Sequence, residues 1–314
     1  MTNIQLYRPE EFIGLKHHDK LLKDQPDICL IGENSHCSLW WKTPPSSEDQ
    51  LGIIGHFFAT NVHDTKKLLE KACSYLRNKG CNVIVGPMDG NTWKAYRFVS
   101  WSNGTPPFLM EPQNPQEWPE FWQESGFSPC YEYISTSVDN LTVSDPRLVE
   151  VRQRLSRRGI TWRPVDISRF EDELRQVFRL ALEAFSKNVL YTSLTENSFL
   201  ELYLPYSEKI DSDYVLIAED KEWNCCGFVF AIPDYLQLQR GEAIKRLVIK
   251  TLAVSPARQN GGLGAVLVEE IQKRALKNGL TSAVHALMFS ENNSVNIGKN
   301  SKIIRRYTLY SKKI

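Results

Sequence analysis

The run Leu252-Ala253-Val254-Ser255-Pro256-Ala257-Arg258-Gln259-Asn260-Gly261-Gly262-Leu263-Gly264 joins an apolar segment, a proline stop and a cluster of glycines. This order predicts a buried strand, a tight turn and the start of a helix. Such a turn aims several backbone N–H groups at one spot, at the positive end of a helix dipole. The chemistry it suits is holding an anion, a pyrophosphate above all. Gly261 and Gly262 permit a sharp turn and close approach by a ligand. Gly264 leaves room in the first helical turn, and Arg258 adds a positive charge. A strand-to-helix turn without a ligand accounts for the same residues. There is no Gly-Lys-Ser/Thr, which argues against a P-loop. The glycines also do not follow the G-x-G-x-x-G of dinucleotide folds.

The elements that would position this turn are legible. Arg246–Val254 is apolar and β-branched, and Pro256 ends it by removing a ladder donor. Leu263, Val266, Leu267, Ile271 and Ala275 recur at three- and four-residue spacing and share one helical face; Asn278-Gly279 stops that helix.

Val254-x-Pro256 followed by Gln259-x-x-Gly262-x-Gly264 resembles the acyl-CoA signature of the GNAT acetyltransferases. The order of elements around it agrees. Ile160–Asp166 reads as a strand and Glu171–Lys187 as a helix, with Phe199–Tyr203 as a second, short helix. Tyr214–Glu219 and Gly227–Ile232 read as strands before the signature. Ser282–Phe289, a short helix Asn293–Lys299 and a last strand Ile303–Tyr310 follow it. The resemblance implies that the backbone of Leu252, Ala253 and Val254 pairs with a pantetheine arm. It implies that the loop from Arg258 and Gln259 through Asn260, Gly261, Gly262, Leu263, Gly264 and Ala265 holds the CoA pyrophosphate. Asn292 matches an Asn that touches the cofactor, with Asn293 next to it; either also suits a helix N-cap.

The departures from the family pattern bear on catalysis. The tyrosine acid that many members carry seven residues after that Asn is Lys299 here, and the frequent Glu base on the signature strand is replaced by Lys250 and Thr251. The acid–base candidates are then His285, Asp234 and Tyr307. Each has a plainer reading: His285 as a core histidine, Asp234 as the opening of a turn beside Pro233, and Tyr307, like Tyr310, as strand packing.

The first half repeats the pattern in degenerate form. Leu51–Ala59 reads as a strand, Thr65–Asn78 as an amphipathic helix and Asn82–Gly86 as a strand. Pro115–Gly126 reads as a short helix, and Tyr131–Ser137 as a Tyr-rich strand after Gly126-Phe127. Ala59–Asp64 stands where the phosphate loop would be. The expected fold class is therefore α+β, with two GNAT-like domains, each a mixed, mostly antiparallel central sheet flanked by helices. Residues 1–145 form the degenerate copy and 146–314 the acyl-CoA-binding one. The segment Gly86–Arg97, with Trp93, Tyr96 and Arg97, and the irregular stretch Pro106–Pro112 read either as parts of an acceptor pocket between the domains or as packed surface loops.

Composition narrows the partners. A net charge of +1 gives no general field for nucleic acid or an anionic membrane. No apolar run approaches the roughly 20 residues of a membrane helix, and the N-terminus lacks a signal-peptide pattern. The seven cysteines have neither metal nor redox spacing. The chain reads as cytoplasmic, with reduced thiols and no metal. The activity expected from the resemblance is transfer of an acetyl group from acetyl-CoA to a primary amine on a small molecule or peptide. A non-catalytic acyl-CoA sensor or scaffold is the first alternative, and a tRNA-dependent aminoacyl transferase the second. The acceptor, the acyl length and the oligomeric state are not written in the sequence.

Overall fold

Apolar runs punctuated by Gly, Pro and Asn fold as strands where the pattern puts them, and three of them do so to the residue: Leu51–Ala59, Arg246–Val254 and Ser282–Phe289. The computed structural model describes residues 4–11, 22–45, 47–257, 260–292 and 301–314. Its first elements are β1 (Gln5–Tyr7), β2 (Ile28–Ile31), β3 (Ser35–Trp40), β4 (Leu51–Ala59), α1 (Val62–Asn78) and β5 (Val83–Gly86). Next come β6 (Phe98–Ser102), α2 (Trp118–Glu124), β7 (Ser128–Val138), α3 (Leu148–Arg157) and β8 (Thr161–Pro164). Then follow α4 (Phe170–Phe185), α5 (Glu196–Tyr203), β9 (Val215–Glu219), β10 (Cys225–Pro233) and α6 (Leu236–Gln239). The chain closes with β11 (Arg246–Val254), α7 (Leu263–Lys277), β12 (Ser282–Phe289) and β13 (Lys302–Lys313).

The fold is mixed α+β, one large and mostly antiparallel sheet flanked by helices. Among the described residues its strand order is β1-β2-β3-β4-β5-β13-β7-β12-β11-β10-β9-β8, with β6 also on β13. Two pairs are parallel, β4 with β5 and β11 with β12, and each is bridged by a helix, α1 or α7. The order reads alike from both edges: four antiparallel strands, one parallel step, then a central strand. The two central strands are exchanged. β7, from the first half, pairs with β12, while β13, from the second, lies between β5 and β7. The sheet is thus continuous across residue 145.

Period-two alternation lets one strand serve two cores. On β9, Leu216 and Ala218 pack with α3 and α7, while Val215 and Ile217 pack with α4 and α5. The equivalent layer on the other half is α1 and α2 over Leu39, Ile54, Phe57 and Ile84. Helix α1 starts at Asn61, whose side chain accepts the Asp64 amide at 2.9 Å. Asn61→Ala is expected to lower stability by about 1 kcal/mol. A urea midpoint that does not move would show the cap to be dispensable.

Candidate functional site

The two halves of the predicted signature diverge from their neighbour at a defined point. β11 pairs with β12 only from Arg246↔Ser282 to Ile249↔His285. On the other side, β10 registers Phe230 with Thr251 and Ala231 with Ile249, so Lys250 is the extra residue of a β-bulge. A bulge bends its strand and re-aims a side chain. β12 breaks its own ladder to β7 between His285 and Met288, where Leu287 has φ 61° and its amide donates to Ser135 Oγ at 2.9 Å. Both strands therefore leave the parallel ladder at one level. Leu252, Ala253 and Val254 stay paired to Val229, Phe228 and Gly227 of β10 but have no partner on β12 among the described residues.

Beyond β11 the chain turns into α7. Asn260 is buried and braces the turn, its Nδ2 3.3 Å from the Ser255 carbonyl and its amide 2.9 Å from that of Ala257. Gly262 is the N-cap with φ 87°, a left-handed conformation glycine tolerates. Gly262 has no side chain with which to cap this helix. The amides of Leu263, Gly264 and Ala265 thus lack an intrahelical acceptor. A Cβ on Gly262 would sit 2.7 Å from Val151 Cγ1, so this glycine serves packing against α3. From that same helix Arg154 donates to the Gly261 carbonyl, beside the turn. Arg152 joins the two helices through Glu269 at 2.7 Å.

Where β11 and β12 separate, a cavity of about 600 Å³ opens. Its walls come from both halves: Trp93, Tyr96 and Arg97 on one side, Lys250, Thr251 and Leu252 on another, and His285 through Phe289 on a third. Trp93 ties the halves together, donating to the Thr192 carbonyl at 2.7 Å and meeting Phe199 edge-on at 5.9 Å. The Lys250 ammonium donates to the Met110 carbonyl at 3.0 Å. Burial pulls its pKa down to about 7; Arg97 adds to the shift, and Glu111 opposes it. Glu111 is itself buried, held 2.8 Å from Arg305 Nε and 2.9 Å from the Tyr307 hydroxyl. Its carboxyl lies above the usual range because of burial.

The candidate residues do not all converge. His285 lines the cavity at the vertex of the strand divergence, with Nε2 3.1 Å from Gln272 Nε2. Burial lowers its pKa to about 4, so it is neutral near pH 7. Asn292 is on the cavity rim. Tyr307 is fully buried between Ser135 and Glu111, outside the cavity wall, and burial raises its pKa. Asp234 is also fully buried; it is paired with Arg246 and accepts the Leu109 amide at 2.9 Å. It is a structural ion pair, not a cavity group, because its charge is matched by Arg246. Arg258, Gln259, Asn293 and Lys299 lie outside the described residues. Sequence reading passed over Lys250 as a mere replacement and did not single out Glu111 or Arg154. A lone lysine inside an otherwise apolar strand was the signal available for the first.

The same point in the first half is closed. β4 pairs with β5 only through Ile53↔Val85, and its ladder to β3 shifts register beside His56. The gap is filled by the chain at Met88-Asp89: a Cβ on Gly55 would lie 2.0 Å from the Met88 carbonyl oxygen. Asp24, His56 and Asp89 bring one donor atom each within 4.8 Å of one another there. His56 bonds Asp24 at 2.9 Å and Ser38 at 3.0 Å, and Lys94 pairs with Asp24 at 3.1 Å.

Comparison with known proteins agrees with this architecture. Residues 145–296, just under half of the chain, match the family of the myristoyl-CoA:protein N-myristoyltransferase N-terminal domain. A bacterial ceramide synthase of Caulobacter vibrioides is 25% identical over 200 residues, 61% of this chain and 50% of that protein. The chain therefore spans about half the length of this curated relative. Among solved structures, a GCN5-related N-acetyltransferase from Sphaerobacter thermophilus superposes with a TM-score of 0.53 at 11% identity, over 94% of this chain and 85% of the other. A tandem GNAT protein from the clavulanic acid biosynthesis pathway superposes with a TM-score of 0.50 at 10% identity, over 91% and 82%. No helix among the described residues is long and apolar enough to cross a membrane.

Proposed function

We propose that this chain, which has the fold of the GNAT superfamily, is an acyl-CoA-dependent N-acyltransferase with one working site. The observation that carries the proposal is the divergence of β11 from β12, which joins an uncapped helix start at one end to a two-walled cavity at the other. Residues 1–145 are then a degenerate unit whose own gap is plugged, and 146–314 the acyl-CoA-binding unit, with β7 and β13 traded between them. The free edge of Leu252, Ala253 and Val254 would hold the pantetheine arm. The loop from Arg258 to Ala265 would hold the pyrophosphate and Asn292 would touch the cofactor. Arg154 adds charge beside the loop.

In this reading the acceptor enters the cavity as an ammonium and Lys250 takes its proton. The free amine attacks the thioester carbonyl. The bulge at Lys250 leaves strand backbone free of its ladder, and an N–H there is suited to the developing oxyanion. Of the two protons left on that nitrogen, one leaves with the CoA sulfur as the free thiol and the other stays on the amide formed. His285, neutral at the vertex, shapes the floor. Asp234 and Tyr307 hold the walls.

Acetyl-CoA is the smallest donor this site would accept. A longer acyl chain is the second reading, favoured by the size and the aromatic and aliphatic lining of the cavity. The family matched by residues 145–296, named for myristoyl-CoA, and the ceramide synthase relative point the same way. The acceptor is a small-molecule or peptide amine, and the chain works in the cytoplasm. Calorimetric titration with acetyl-, octanoyl- and myristoyl-CoA tests both readings. Micromolar binding is expected. Affinity rising with chain length selects the long-chain donor and equal affinities the acetyl donor. No binding of any thioester would overturn the function.

A further inference from the structure

The cavity's charges do not balance. Lys94 is matched by Asp24, and Glu111 by Arg305. Arg97 is matched by nothing: it is 7% exposed, and its Nε and Nη1 have no hydrogen-bond partner among the described residues. No ion pair involving it occurs among those residues. Its guanidinium carbon lies 4.0 Å from the centre of the Tyr96 ring and 3.9 Å from that of Tyr133. The two rings favour the cation through their π faces, but they offer no acceptor for N–H groups that lie in the guanidinium plane. The residue is carried at φ 68° by the segment that walls the cavity. An uncompensated buried charge is strongly unfavourable, so such an arginine is a receptor for an anion that arrives with a ligand.

In the proposed function the CoA phosphates lie at the turn beyond the far end of β11, so the anion near Arg97 belongs to the other substrate. We propose that Arg97 binds a carboxylate on the acceptor, so that the acceptor is an α-amino-acid-like amine rather than a neutral one. This rests on the acyltransferase reading and refines it. The planar carboxylate suits a planar guanidinium, and in an α-amino acid the amine is held two bonds from it. Another side of the same cavity then offers Lys250 to that amine.

The test uses the full chain and two product pairs that differ only in the carboxylate: N-octanoyl-phenylalanine against N-octanoyl-phenethylamine, and N-acetyl-phenylalanine against N-acetyl-phenethylamine. Binding is measured by calorimetry for the parent, Arg97→Met and Arg97→Lys. Octanoyl-CoA and acetyl-CoA are titrated into each protein as a control. The carboxylate compounds should bind the parent roughly tenfold to a hundredfold more tightly, the usual worth of a hydrogen bond to a charged group. Arg97→Met should erase that preference with acyl-CoA affinity intact, and Arg97→Lys should keep part of it. Equal affinities in the parent, no binding of either pair, or a preference surviving in Arg97→Met would overturn the assignment. Failure of the acyl-CoA titration, read separately, is what would remove the acyltransferase function itself.

Discussion

Lys250→Met is expected to lower kcat/KM by about 10²–10⁴-fold, the range a positioned general base contributes. Acyl-CoA affinity should hold, since methionine fills the same space and the pantetheine edge begins two residues on. Protonation decides whether Lys250 can act as a base. An ordinary lysine is charged at pH 7 and has no lone pair to offer. Here burial, with the Arg97 guanidinium as a second cause, brings the pKa down to about 7 against the pull of Glu111, so the free amine is accessible near neutral pH. The base form is the deprotonated one. The rate of the parent should therefore rise as pH increases through about 7 and level off above it. Lys250→Met should lack that inflection. Lys250→Arg should not rescue the rate, because a guanidinium stays protonated. A pH profile identical in parent and Lys250→Met would show that another group takes the proton.

Gly264→Glu is expected to weaken acyl-CoA binding by more than about a hundredfold. The residue is the second of α7, in the turn whose amides lack intrahelical acceptors. A carboxylate there brings a like charge within a few ångströms of the bound pyrophosphate, a repulsion of about 3 kcal/mol at an intermediate dielectric. It also competes for the same positive helix end. Glutamate is a better helix former than glycine, so helix propensity does not oppose the substitution. Gly262→Asp would be a poorer probe. Its φ of 87° and the 2.7 Å approach to Val151 mean that the substitution disturbs α3 whether or not a ligand binds. A folded Gly264→Glu protein that binds acyl-CoA as tightly as the parent would remove the loop from the site.

What local sequence could reveal was largely read correctly. β4, β11 and β12 fall on their expected bounds because each is an apolar run closed by turn formers, and α7 because its apolar face repeats at helical spacing. β3 was not legible: Ser35-His36-Cys37-Ser38 is polar in type yet largely buried, with the Ser38 hydroxyl satisfied by His56 and by Cys29 across the sheet. The exchange of β7 and β13 leaves no trace in any window of residues, because it is a choice of partner and not of conformation. The candidate site was legible in its backbone elements, β11 and the start of α7. It was illegible where tertiary charge makes it. Asp234 was a plausible acid until Arg246, 12 positions on, closed on it. Lys250 became a candidate base only through the burial that folding imposes.

The exchanged strands also set the order in which the molecule can be finished. On the side away from β4, β5 is covered by β13, whose register runs from Tyr310↔Gly86 to Lys313↔Val83. During synthesis the first half must therefore wait, with that edge unpaired, until the chain has been made through residue 313. An open edge is a template for other strands, and pairings this distant in sequence close slowly. The cavity shares that schedule, because the Arg305–Glu111 and Tyr307–Glu111 contacts arrive with the same strand. The nascent chain thus acquires this side of the cavity last, after the turn between β11 and α7 has already been made.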